Sequence, residues 1–213
     1  EKPLGRTLAE CKKAVAAAPG YAPAYFGLGV ALNRVGEKAR ARDQFAAAVN
    51  LRPEYVEAQQ SLGSALLDAG NLSEAIDHFD AAARLKPDAA DLQCDLGQAL
   101  LQMGQRPQAL LHLQEALRLA PDYARAHNAL AGLLQQDGHL GEALVHLEEA
   151  VRLEPESLGM QMNLANLLVG VGRPRDALGH VEKALAIAQA SGRADLAQGV
   201  ANTVRALRAQ IAK

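Results

Sequence analysis

Four histidines, His78, His112, His146 and His180, recur at one constant interval along the chain. Imidazole is a common ligand of zinc and copper and the side chain that titrates nearest neutrality, so four in register raise the question of a metal centre. Distance argues against it. Equivalent places in adjacent repeats lie on the order of 10 Å apart, one helix-packing step, whereas the ligands of a single zinc each lie about 2 Å from it. No carboxylate recurs at a three- or four-residue step from all four, so these histidines are read as side chains flanking the apolar stripe of successive helices. His127 and His139 need no catalytic explanation either. The two cysteines, Cys11 and Cys94, have no CxxC or Cys/His ligand spacing and are too few for a disulfide framework. They fit a reducing compartment and so favour a cytoplasmic setting.

Arg84, Arg118 and Arg152 keep the same interval as the histidines. Each falls near the end of a helical stretch, where a cation is favoured by the helix dipole. Asp80 precedes Arg84 by four residues and Glu148 precedes Arg152 by four, a spacing worth about 0.2–0.5 kcal/mol per pair on a helix surface. No nucleophile–base–acid set, glycine-rich phosphate loop or HExxH motif is present. The expectation is a protein that is not an enzyme and uses neither metal nor cofactor.

Composition says what kind of elements hold these residues. Among 213 residues, aromatics make up 3% and Trp is absent. Ile occurs only at 76, 187 and 211 and Thr only at 7 and 203, a scarcity that disfavours sheets. Ala, Leu, Gln, Glu and Arg, which lose little entropy in a helix, fill their place. The formal net charge of −2 and the lack of basic tracts argue against a nucleic-acid partner. The stretch from Ala14 to Asn33 carries no charge, but Pro19, Gly20 and Pro23 would break a spanning helix, so no direct membrane insertion is expected.

Pro19, Pro53, Pro87, Pro121 and Pro155 are evenly spaced at that interval too, and Gly36, Gly70, Gly104, Gly138 and Gly172 follow them, each halfway along the interval that a proline opens. A glycine suits the left-handed position just past a helix, and a proline ends the next one. Two marks per period give helix, turn, helix.

Within one period Tyr25, Leu28, Gly29, Leu32, Ala41, Phe45, Ala48 and Pro53 stand at the spacing W-x2-L-G-x2-Y, A-x3-F, P. This resembles the tetratricopeptide repeat, whose unit length of about 34 residues is also the interval between the prolines. Leu62, Gly63, Leu66, Ala75, Phe79, Ala82 and Pro87 repeat the pattern, as do Leu96, Gly97, Leu100, Ala109, Leu113, Ala116 and Pro121. Residues 124–157 and 158–191 keep most of it, with Ala131 and Ala165 for the small glycine and Gln189 where a further proline would stand. The resemblance implies an all-α fold, a right-handed α-solenoid of stacked helix-turn-helix units. Residues 1–21 read as the second helix of a truncated unit, followed by repeats at 22–55, 56–89, 90–123, 124–157 and 158–191. Residues 192–213 read as a capping helix with Leu196, Val200, Val204, Leu207 and Ile211 on its apolar stripe. Cys11 falls at the core place of Phe45 and Phe79 and is expected to be a buried small hydrophobe.

In the tetratricopeptide family the first helices line a concave groove that binds peptides or protein segments, so the resemblance points to their outward residues. The first repeat presents Phe26, Val30, Asn33 and Arg34. The second and third present Glu57, Gln60, Ser64, Asp68, Asp91, Cys94, Asp95 and Gln98, an acidic set without Lys or Arg. The fourth and fifth present Arg125, Asn128, Gln135, Gln136, Met162, Asn163 and Asn166, whose amides suit an extended backbone. The Lys, Asn and Arg set with which some members clamp a C-terminal carboxylate is absent; Phe26 and Val30, Ser61, Asp91 and Asp95 stand in its place. The expected role is a scaffold for a protein or peptide partner, with a basic segment suited to the acidic centre, although ordinary solubility charge accounts for the same acids. The absence of an initiator Met and of a first half-repeat suggests the recognition or regulatory arm of a larger enzyme, a protein-modifying transferase or a membrane enzyme, as an alternative. Self-assembly through an open face at Leu4, Leu8 and Cys11 is another.

Overall fold

The computed structural model describes residues 2–212, with side chains from residue 8 onward. Twelve helices and no strand lie among the described residues: α1 (Lys2–Ala17), α2 (Ala22–Arg34), α3 (Lys38–Leu51), α4 (Val56–Asp68), α5 (Leu72–Leu85), α6 (Ala90–Gln102), α7 (Arg106–Leu119), α8 (Ala124–Gln136), α9 (Leu140–Leu153), α10 (Leu158–Gly170), α11 (Pro174–Ala190) and α12 (Ala194–Ile211). First helices of 13 residues alternate with second helices of 14. The exception is α11, which runs for 17 residues through Gln189, where earlier repeats have the proline that cannot continue a helix.

The turn inside each repeat follows from one backbone requirement. At Gly36 φ is +83°, a conformation that only glycine adopts without steric penalty. It lets Glu37 N–H reach Leu32 O at 3.0 Å and Gly36 N–H reach Asn33 O at 3.1 Å, the paired closure of a Schellman motif, which satisfies carbonyls that the helix end leaves open. A similar φ recurs at Gly70, Gly104, Gly138 and Gly172. The alternating helices are therefore set by a repeated local rule.

The chain divides into two compact units, Glu1–His112 and Leu113–Lys213. In the first, α1 to α6 pack each on its neighbour in sequence. Its core pairs a missing side chain with a large one: Gly29 of α2 faces Phe45 of α3, and Gly63 of α4 faces Phe79 of α5, both rings being buried. In the second unit α8 to α12 pack likewise in order. There Ala131, Leu147, Ala165 and Val181 join Leu164, Leu167 and Leu168 in one buried cluster, closed by Val200, Val204 and Leu207 of α12. Full burial of each Leu, Val or Phe side chain contributes roughly 1.5–3 kcal/mol, which ties each hairpin to the next within its unit. Cys11 is only partly buried; its small side chain does not take the fully enclosed place of the two phenylalanines. The side chain of Leu4 lies outside the described residues.

Candidate functional site

The recurring histidines are explained by a hydrogen-bond relay inside each hairpin. Gln59 on α4 donates from Nε2 to the carbonyl of Pro53 at 2.8 Å. Its Oε1 then faces His78 Nδ1 on α5 at 2.7 Å. Since the amide nitrogen is already committed as a donor, the histidine donates from Nδ1. Gln93 joins Pro87 O and His112 in the same way at 3.2 and 2.8 Å, and Gln161 joins Pro155 O and His180, both at 2.8 Å. Gln59, Gln93 and Gln161 are buried, so each tie satisfies polar atoms that burial would otherwise penalise. In the fourth repeat His127 replaces the glutamine: its Nε2 lies 2.8 Å from Pro121 O and its Nδ1 2.8 Å from His146 Nδ1. Burial pushes His78, His112, His146 and His180 below the ordinary imidazole pKa; nearby carboxylates oppose this at each, and the His127 charge adds to it at His146. These histidines hold hairpins together, and among the described residues no group of three or more His, Cys, Asp or Glu could hold a metal ion.

On the first helices a second relay runs from repeat to repeat. Gln60 of α4 donates to Asp95 of α6 at 2.7 Å and to Asp91 at 3.3 Å. Asn163 of α10 donates to Asn128 of α8 at 2.9 Å. Residues 60 and 95 and residues 128 and 163 occupy the same register, one repeat plus one residue apart. Ser64 Oγ donates to Gln60 O at 3.0 Å. Around these bridges Val30, Asn33, Arg34, Glu57, Asp68 and Asp91 are exposed in the first unit. Arg125, Gln135, Gln136, Asn163 and Asn166 are exposed or partly exposed in the second, as are Asn128 and Met162.

Several residues read from sequence as outward-facing are placed differently. Cys94 is 0% exposed and Asp95 only 8%. The face of α6 that carries them is enclosed, and the Gln60 amide engages the Asp95 carboxylate. Gln98 is half-buried. Phe26 packs at ring-centroid distances of 5.8 Å from Phe45 and 5.1 Å from Tyr55, with Arg52 stacked 4.0 Å over Tyr55, so it is half committed to an internal aromatic group. The acidic set also has a cation within reach: Lys38 Nζ of α3 lies 2.6 Å from Asp68. Arg125 turns to the Tyr123 hydroxyl at 3.0 Å. On the second helices Arg84 pairs with Asp80 at 2.7 Å, whereas Arg152 pairs with Glu149 at 2.6 Å rather than with Glu148.

A cleft of about 200 Å³ opens between α10, α11 and α12, walled by Ala165, Val169, Val181, Ala206 and Leu207 and edged by Asn166, Thr203 and Gln210. The apolar stripe of α12 was legible, but the residues one helical step beside it give no signal until α12 is set against α10.

Family comparisons agree with this geometry. A TPR-repeat model matches residues 63–104 and 97–138, and a tetratricopeptide-repeat model matches residues 134–211. The chain belongs to the tetratricopeptide-repeat family. Three solved structures with this repeat architecture illustrate the likeness. A chain of the APC/C hetero-tetramer Cut9–Hcn1 superposes with a TM-score of 0.80 at 18% identity, over 93% of this chain and 39% of that one; this chain thus spans about two fifths of its length. TTC0263, a thermophilic TPR protein in Thermus thermophilus, gives 0.74 at 26% identity, over 85% and 97%. YrrB, described as a TPR protein with an unusual peptide-binding site, gives 0.61 at 24% identity, over 90% and 97%. No curated protein matches the chain in sequence. Within this tetratricopeptide framework no helix of the described residues is long and apolar enough to cross a membrane.

Proposed function

We propose that this tetratricopeptide-repeat chain is a non-catalytic scaffold that binds an extended peptide or protein segment on the outward faces of its first helices. The observation that carries this reading is the side-chain relay at one register of those helices, Gln60 to Asp95 and Asn163 to Asn128. A side-chain amide offers two donors and an acceptor with two lone pairs, so Gln60, whose amide nitrogen is engaged by Asp95 and Asp91, still offers its oxygen to a backbone N–H, and Asn163, which donates to Asn128, can also meet a backbone C=O. Residues fixed by such bridges lose little further freedom when a ligand arrives, which lowers the ordering cost of binding. YrrB, similar in fold, carries a peptide-binding site by its description.

In the first unit Glu57 and Asp91 are the acids that favour a basic segment. Asp68 contributes less because Lys38 offsets it, and Asp95 is structural. Exposed Val30 supplies apolar contact beside Arg34. In the second unit the amides Asn128, Gln135, Asn163 and Asn166 read backbone rather than charge.

A labelled peptide library that varies net charge, titrated against the wild type and against Glu57→Gln/Asp91→Asn, tests the reading. Basic peptides are expected to bind the wild type and to lose most of their affinity for the variant, more so at low salt. Equal binding of basic peptides to both proteins would remove the charge argument. No binding of any peptide class would remove the scaffold reading itself.

A further inference from the structure

The fourth repeat departs from its neighbours at His127, and the departure changes what the hairpin does with a proton. A carbonyl oxygen only accepts, so the contact of His127 Nε2 with Pro121 O at 2.8 Å requires a proton on Nε2. The lone pair of neutral His127 is then at Nδ1, and His146 must donate to it from its own Nδ1 across 2.8 Å. The rings stand 5.1 Å apart between centroids at an interplanar angle of 38°. A first added proton goes to Nε2 of His146 and leaves both bonds in place, now assisted by charge. A second has only Nδ1 of His127 to enter, and it sets two N–H donors and two positive charges against each other. The Gln–His ties never meet this condition. Their amide oxygen accepts from the histidine Nδ1 whether or not the other ring nitrogen is protonated.

The charges around the pair do not relieve it. On α9 Glu142 favours the charged form of His146, but that carboxylate is bonded to His139 at 3.1 Å. Glu149 is held by Arg152 at 2.6 and 2.8 Å, which, with a smaller contribution from the His127 charge, keeps its carboxyl below the usual range. In the loop before α8, Asp122 acts on Arg152, and on α8 Arg125 turns to Tyr123. From α10, packed on α9, the residue at the matching place is Gln161, already tied to His180 and Pro155. Asp80 favours a charge on His112 and Glu148 one on His180; the residue in the equivalent place before His146 is uncharged Gln114.

We propose that His127 and His146 form an acid-labile latch between α8 and α9, which stays closed with one added proton and opens on the second while the Gln–His ties of the other hairpins hold. The latch concerns the α8–α9 hairpin alone and stands whether or not the first helices bind peptides.

Imidazole NMR titration of the full chain, combined with amide hydrogen exchange, tests it. The proton shared between the two Nδ1 atoms is expected to appear as a hydrogen-bonded imidazole N–H at neutral pH and to be lost as acid opens the latch. Once the latch is open, exchange over α8 and α9 should be faster than in His127→Gln at the same pH, roughly tenfold or more for one buried hydrogen bond lost. His127→Gln restores the tie of the other repeats and should reduce the acid response of this hairpin to that of its neighbours. His146→Gln is the second variant: its amide donates to His127 Nδ1 and can turn its oxygen to accept instead, so no two donors are set against each other and the extra acid-induced exchange should again be lost. Absence of that hydrogen-bonded N–H at neutral pH overturns the proposal. Exchange over α8 and α9 that stays as acid-sensitive in a folded variant as in the wild type also overturns it.

Discussion

The two units build the same hairpin from opposite choices of volume. In the first, Gly29 and Gly63 leave room for Phe45 and Phe79, whose rings come so close that a Cβ on Gly29 would meet one at 2.6 Å and a Cβ on Gly63 the other at 2.9 Å. In the second, Ala131 and Ala165 supply that carbon themselves, and the residues packed in the same cluster shrink to Leu147 and Val181. The repeat therefore specifies the filling of a space between two helices rather than a particular residue at either place. In these four hairpins small and large positions change together, as an interior packed to crystal-like density tolerates neither an overlap nor a void; the third repeat, with Gly97 and Leu113, is the intermediate case.

The largest loss of stability is expected from Phe79→Ala, which empties the place where Gly63 leaves no compensating atoms. Urea unfolding should show a loss of about 3–5 kcal/mol. A loss under about 1 kcal/mol would show that the hairpin collapses into the gap. Next comes Gly29→Ala, where overpacking costs about 1–3 kcal/mol against a helix-propensity gain of roughly 0.5–1 kcal/mol. Gly63→Ala, with its wider approach, should cost less than Gly29→Ala. Adding Phe79→Leu to Gly63→Ala copies the second unit and should recover part of the loss relative to either single change. If the double variant is only as stable as the sum of the singles, the two positions are not coupled in volume.

How much of this was legible beforehand depends on whether the determinant is local. The glycine at each turn and the proline after each second helix act through their own backbone, and the period alone located them. The small-to-large pairing was visible as residue types, though the closeness of Phe45 to Gly29 was not. The relays could not be read, because Gln59 and His78 lie far apart in sequence on different helices and neither residue type announces a partner. The same limit explains Cys94 and Asp95. Helical spacing puts them on an outward face of α6, but exposure depends on what closes over that face. In the case of Asp95, the Gln60 amide of the preceding first helix reaches it. Arg152 shows a smaller version, since both Glu148 and Glu149 stand within one turn and only rotamer geometry selects Glu149.

Acid should sharpen the contrast between hairpins. For His78, His112, His146 and His180 the folded-state pKa lies below that of the unfolded chain, chiefly through burial. The unfolded state then binds more protons, so their stabilising contribution is complete above the unfolded pKa of about 6.5 and declines as pH falls below it. Melting temperature is expected to drop on acidification through that range; an unchanged melting temperature would contradict the burial effect. The smallest change is expected at Lys38 and Asp68, both well exposed, where Lys38→Ala should alter stability by less than about 1 kcal/mol. Lys38→Ala should instead strengthen basic-peptide binding to the first unit by leaving the Asp68 charge without its cation. A fall in that binding would show that Asp68 takes no part.

Whether the first helices of this repeat array carry the binding surface is addressed most directly by hydrogen-exchange mapping of the full chain, with and without a bound peptide from the charge-varied library. Added protection is expected on α2, α4 and α6 for a basic peptide, or on α8 and α10 for a neutral one, with α3, α5 and α9 unchanged. Protection confined to those second helices would contradict a binding surface on the first.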